Sequence, residues 1–173
     1  MRKQNGFSLI ELLIVVAIIL IIAAISIPNL LRARMAANQA SAVAAIRTLV
    51  TAQITYQSEY PTTGFAGSLA ELGPPSANGC PTPNSTTACL IDHTLATSTA
   101  TPGKDGYIFS VASFQGGTSF AAAGTAVNWN QTGVNSYCAI EDDVTRFKLE
   151  TSTVSPTTYT GTPAACAALT PLQ

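Results

Sequence analysis

Every residue from Leu12 to Ile25 is apolar, and with only Ser26, Pro28 and Asn29 intervening the apolar character runs on to Leu31. Phe7 to Leu31 is 25 residues, against the about 20 that a helix needs to cross a bilayer. The remainder of the chain is polar, rich in Thr, Ser, Gly and Pro, yet the mean hydropathy of the whole is positive. This one segment therefore supplies most of the hydrophobicity. At 173 residues there is room for about one domain beside it. Charged residues make up 10% and the net charge is −1, so nothing in the balance points to nucleic acid or to an anionic surface as a partner.

Three kinds of segment begin with a cationic end, here Arg2 and Lys3, followed by an apolar run. A cleaved secretory signal has an apolar region of roughly 7–15 residues and a small-x-small site after it. Here the run is longer, and Ile25-Ser26-Ile27-Pro28 supplies no clean site. A plain signal anchor fits the length, with Arg2 and Lys3 holding the amino terminus in the cytoplasm and Arg32 and Arg34 at the other end. Glu11 argues against it. A carboxylate in an apolar helix costs on the order of 2.5–3.5 kcal/mol near a bilayer centre, and ionisable groups in such places mark function.

The third kind is set by the order of residues around that carboxylate. Gly6-Phe7-Ser8-Leu9-Ile10-Glu11, followed by the apolar run from Leu12, resembles the amino-terminal signature of type IV pilins and the related pseudopilins. The resemblance covers about residues 1–35. It implies a leader peptide over 1–6, cut by a prepilin peptidase between Gly6 and Phe7, with Phe7 N-methylated as the new first residue. It implies that Glu11 is the acidic residue of the mature helix and that Pro28 is a proline common in these helices. The physical reading stands beside the name. Cleavage exposes a cationic amine on Phe7, and Phe7 and Glu11, four apart, share one helix face. A carboxylate in apolar surroundings is stabilised by an opposite charge or by protonation. If neighbouring helices stagger axially, the Phe7 amine of one subunit meets Glu11 of the next, and two buried charges are satisfied at once.

Leu31 to Tyr60 lacks Pro and Gly and is rich in good helix formers. Apolar positions recur at Val43, Ile46, Val50 and Ile54, with a second ridge at Ala42, Ala45, Leu49, Ala52, Tyr56 and Tyr60. This is the stripe of a helix that packs on something else, here a small sheet of the same chain. The expected helix runs from Phe7 to Tyr60, with a kink at Pro28, which removes a backbone donor, and an end at Pro61. Residues 7–31 would be the transmembrane and assembly helix, 32–60 its amphipathic continuation and 61–173 the head.

In the head, Ser68 to Gly73 suits a short helical turn, and Pro75 to Gly103 reads as irregular loop. Tyr107–Ala112, Phe120–Val127, Ser136–Ile140 and Val144–Leu149 are strand candidates, joined as an antiparallel meander, and Thr151–Gln173 reads as a coil tail. The fold class is thus α+β. Cys80, Cys89, Cys138 and Cys166 suggest disulfides and an oxidising compartment. Four cysteines allow three connectivities; the sequence-local pairs Cys80–Cys89 and Cys138–Cys166 are favoured, the second fastening the tail.

Catalysis has little support. The sole histidine, His93, has no partner in a motif and reads as an ordinary loop residue. Glu141, Asp142 and Asp143 read as an acidic hairpin turn rather than a calcium site, since calcium-loop spacing is absent. Asn84-Ser85-Thr86 and Asn130-Gln131-Thr132 fit the N-glycosylation pattern, which is frequent by chance in Thr-rich sequence. No cofactor, metal, enzymatic activity or specific nucleic-acid partner is expected. The resemblance implies a structural subunit of a type IV pilus, with adhesion, surface motility or DNA uptake as downstream roles. The alternative is a pseudopilin of a type II secretion system. Its partners would be copies of itself in a helical homopolymer, the prepilin peptidase and an assembly platform in the inner membrane. The chain would be a single-pass inner-membrane precursor and then part of an extracellular filament.

Overall fold

The computed structural model describes residues 8–150 and 162–172. Helix α1 (Leu9–Glu59) is assigned without a break through Pro28. Because Pro28 has no N–H, the carbonyl of Ala24 lacks its helical donor. The chain divides into two compact units, Met1–Arg34 and Met35–Gln173.

In the first unit every large apolar side chain from Leu9 to Leu31 is uncovered, from 47% exposed at Val16 to 80% at Leu9. A helical segment that is apolar all round and left exposed in this way belongs in lipid or against other helices.

The second unit is built on one face of the carboxy-terminal part of α1. Ala42, Ala45, Ile46, Leu49, Val50, Ala52, Gln53 and Tyr56 are buried. The spacing of three and four residues matches the ridge read from the sequence. Ile54 is the exception. It lies 50% exposed, because the buried face turns through Gln53 instead.

Four short strands form the meander: β1 (Tyr107–Phe114), β2 (Ser119–Ala126), β3 (Asn135–Ile140) and β4 (Arg146–Leu149). A fifth, β5 (Thr170–Pro171), pairs with β4 at the edge, where the missing proline donor costs no ladder bond, and all pairs are antiparallel in the order β1-β2-β3-β4-β5. Alternation of side chains puts Phe109, Phe120, Ala122, Tyr137 and Ala139 in one core with the α1 face. Their neighbours Ala121, Ala123, Cys138 and Ile140 point to the other side, where they meet Cys166. Both faces of the centre are covered, which is why β2 is buried at every position. Its residues are small because the sheet is crowded there. A Cβ on Gly124 would stand 2.9 Å from the Phe109 ring and 3.6 Å from Ile46 Cδ1.

Three sequence expectations need correction. The loop from Pro75 to Gly103 contains a helical turn, α3 (His93–Ala96), capped by Asp92, whose Oδ2 accepts from Leu95 N at 3.1 Å. His93 therefore opens a helix rather than sitting in loop. Its Nδ1 is buried with no partner. Strand β4 begins at Arg146 instead of Val144, because Val144 N donates to Asp142 Oδ1 and the Arg146 guanidinium closes on Asp142 and on Val144 O. That pairing holds the Asp142 carboxyl below the usual carboxylate range, with burial opposing it. The tail is not coil throughout. Although 151–161 lies outside the described residues, α4 (Pro163–Ala167) follows, with Thr162 Oγ1 accepting from Ala165 N and proline at its start. A shorter helix, α2 (Leu69–Leu72), occupies the expected turn. Ser68 and Glu71 cap it reciprocally, since Glu71 N donates to Ser68 Oγ while Glu71 Oε2 accepts from Gly67 N.

Cys80 is bonded to Cys89, with Cα atoms 6.1 Å apart, and Cys138 to Cys166, at 6.0 Å. The second bond ties α4 to the sheet across a sequence separation of 28 residues, worth about 3–4 kcal/mol in the chain-entropy account. Replacing both Cys138 and Cys166 by serine is expected to loosen α4 and β5 first. Hydrogen exchange should then show protection lost over 162–172 while Tyr107–Ala126 stays protected. Unchanged protection in the tail would contradict this.

Candidate assembly site at the amino-terminal helix

Gly6 and Phe7 lie outside the described residues, so the geometry begins at Ser8. Glu11 sits in the first turn of α1, and its Oε2 accepts the Ser8 backbone N–H at 3.0 Å. A carboxylate at this end of a helix also meets the positive end of the backbone dipole, worth about 0.3–1 kcal/mol when exposed. Glu11 is thereby half-satisfied by its own helix. The contact was missed in the sequence, although a carboxylate three residues after a serine at a helix start is the signal for it.

Among the described residues no cation meets the charge. Among the described residues the ion pairs are Lys104–Asp105, Arg146–Asp142 and Lys148–Glu150, all in the head. Around Glu11, Leu9, Ile10, Leu12 and Leu13 are each at least 60% exposed. Once other apolar surface covers these four, the carboxylate is left in a low-dielectric shell with one neutral donor. A carboxylate buried in this way calls for a cationic partner.

The aromatic groups of the head serve the core. Tyr107 donates to Asn135 O at 3.0 Å, and burial pushes its hydroxyl far above the ordinary tyrosine range. Tyr56 donates to Ser85 O and is also raised, first by burial. Among the described residues no group of three or more His, Cys, Asp or Glu is arranged to hold a metal ion.

Residues 1–27 match the family model described as the prokaryotic N-terminal methylation motif. The type IV wide pilus major component PilA4 of Thermus thermophilus is 54% identical over 57 residues, which is 33% of this chain and 44% of that protein. The type IV major pilin protein PilA of Myxococcus xanthus is 47% identical over 57 residues, 33% of this chain and 26% of that one. The type II secretion system core protein G of Vibrio cholerae is 46% identical over 66 residues, 36% of this chain and 45% of that one. The chain thus spans less than half the length of the curated relatives it matches. No solved structure is a significant match. The chain thus carries the prokaryotic N-terminal methylation motif and, over about a third of its length, is similar to two type IV pilins and to a type II secretion system core protein.

Proposed function

We propose that the chain is the structural subunit of a type IV pilus. A prepilin peptidase cuts after Gly6, Phe7 becomes the methylated first residue, and the mature chain leaves the inner membrane to polymerise into an extracellular filament. The observation that supports this reading is Glu11, a carboxylate with no cation partner among the described residues, set in a stretch of helix whose large apolar side chains from Leu9 to Leu31 are uncovered. In the filament the Phe7 amine of a neighbouring copy supplies the missing charge, and burial of the apolar helix supplies the driving force. The helix that has lost one internal bond at Pro28 opens locally there as copies pack. An assembly platform in the inner membrane delivers the subunits. Adhesion, motility or DNA uptake belongs to the fibre as a whole, and no enzymatic step, cofactor or specific nucleic-acid contact is invoked.

The match to core protein G keeps a secretion pseudopilin as the second reading. Major pseudopilins tend to carry a calcium loop near the carboxy terminus and few cysteines. Here the carboxy-terminal region is instead fastened by Cys138–Cys166, and this supports the pilus.

Gly6→Val separates processing from everything downstream. A branched side chain at the cleavage position should leave the precursor in the membrane fraction at full length, with fibres reduced to background. Immunoblots of membrane and sheared fractions read both. Mature-length subunit in normal fibres would contradict the assignment of Gly6.

A further inference from the structure

Two Asn-x-Thr triplets lie in the head, and the structure treats them differently. Asn84 is exposed, at the first position of a tight turn in which Asn84 and Thr87 exchange backbone bonds. Its Oδ1 accepts from the Thr86 hydroxyl at 2.6 Å and from Thr86 N at 2.9 Å. The turn is presented on a fixed base: Cys80–Cys89 closes the loop around it, and the next residue, Ser85, is held to the core by Tyr56. At the other triplet, Thr132 Oγ1 both donates to Asn128 O and accepts from Asn128 N, at 3.1 Å each. Thr132 is also wedged beside Gly106, and its carbonyl accepts from Asn38 on α1. Its hydroxyl is committed in both directions, and freeing it means dismantling that turn.

We propose that Asn84, and not Asn130, is an N-glycosylation acceptor, taking a sugar chain from a lipid diphosphate donor once the head has been exported. The triplet marks an acceptor on an exposed loop, and the chemistry needs an accessible carboxamide with the hydroxyl two residues on turned towards it. Only the Asn84 triplet offers both. The Thr86 hydroxyl, by donating to Oδ1, draws electron density from the amide and makes its N–H proton easier to lose. Asn84 Nδ2 then forms a bond to the anomeric carbon of the sugar. The bond from that carbon to the diphosphate oxygen breaks, the lipid diphosphate leaves with the electron pair, and the Nδ2 proton passes to a base on the transferase. The product places a bulky, solvated group beside a disulfide, on a surface lacking charge from Pro75 to Leu90.

The inference rests on the exported-filament reading, and one peptide distinguishes the two. A proteolytic fragment holding Cys80, Asn84 and Cys89, taken without reduction from the native cells, reports the disulfide and the sugar together by mass. A sugar mass on Asn84, lost completely in Asn84→Gln and in Thr86→Ala, kept in Thr86→Ser and unaffected by Asn130→Gln, is the expected result. A disulfide-bonded fragment with bare Asn84 overturns the proposal while leaving export intact. Free thiols with bare Asn84 overturn export and the proposal together. Sugar on Asn130, or sugar that persists in Asn84→Gln, overturns the choice of site.

Discussion

Glu11→Ala is expected to insert and be cleaved normally yet to leave almost no subunit in fibres. Insertion should not suffer, because a neutral methyl enters lipid more easily than a carboxylate. What is lost, in the assembly proposed above, is the partner of the neighbour's Phe7 amine. Leaving one member of a buried ion pair unmatched costs about 3–5 kcal/mol, and in a helical polymer that cost recurs at every subunit. The sheared pool relative to the membrane pool should therefore fall by orders of magnitude rather than by a fraction. Co-expression with the wild type should restore partial incorporation, since each altered copy spoils only its own contact. The variant also loses the self-cap to Ser8, but that contact acts at the helix end within one chain and is worth only about 1 kcal/mol. An unchanged ratio of sheared to membrane protein would remove Glu11 from assembly.

The largest stability effect is expected inside the head, at Gln53. This side chain is fully buried, and it holds both backbone groups of buried Ala66, with Nε2 donating to Ala66 O at 2.9 Å and Oε1 accepting from Ala66 N at 2.8 Å. The pair anchors the segment leaving α1 back onto the helix. Gln53→Leu keeps the volume and strands both Ala66 groups away from water. At about 1–3 kcal/mol for each unsatisfied group, the loss is about 2–6 kcal/mol, a large part of the stability of an ordinary domain.

The glutamate variant at the same position adds a pH test. Its carboxylate would accept from Ala66 N but would face the Ala66 carbonyl, whereas the protonated acid donates to that carbonyl. Folding thus raises the group's pKa above the unfolded value of about 4.3. Stability is then fully present below that pH and falls by up to about 1.4 kcal/mol per unit as pH rises towards the folded pKa. Denaturant midpoints measured from pH 4 to 8 check it. A flat profile, or a leucine variant as stable as the wild type, would contradict the role given to Gln53.

Gln53 also shows where sequence reading stops. Its neighbours Ala52 and Tyr56 are legible as a buried stripe because burial of apolar groups has a period. A buried amide is legible only when its partner is known, and Ala66 N and O carry no mark in the sequence. Ile54 reads as part of the stripe because its side chain is apolar, yet it lies exposed, because the buried face turns through Gln53. The strands of the meander are set apart by turn residues, so their existence and order could be read. Strand β5 could not, since two residues carry no period and one of them is proline. Helix α4 is only five residues long, and its signal reduces to Thr162 followed by Pro163. At the amino terminus the reverse holds. Glu11 stands out because a carboxylate fits poorly in a plain apolar helix, and Gly6 and Phe7 are marked by the resemblance that the residues around it carry.

The claim that the chain is clipped and built into a filament by its amino-terminal helix can be tested on one peptide. Fibres sheared from cells, washed and digested, yield an amino-terminal fragment whose mass and fragmentation are unambiguous. The account predicts a fragment that begins at Phe7 with a methyl group on its amine and contains Glu11 unmodified. A fragment that begins at Met1, or the absence of this chain from sheared fibres while it is abundant in membranes, would contradict it.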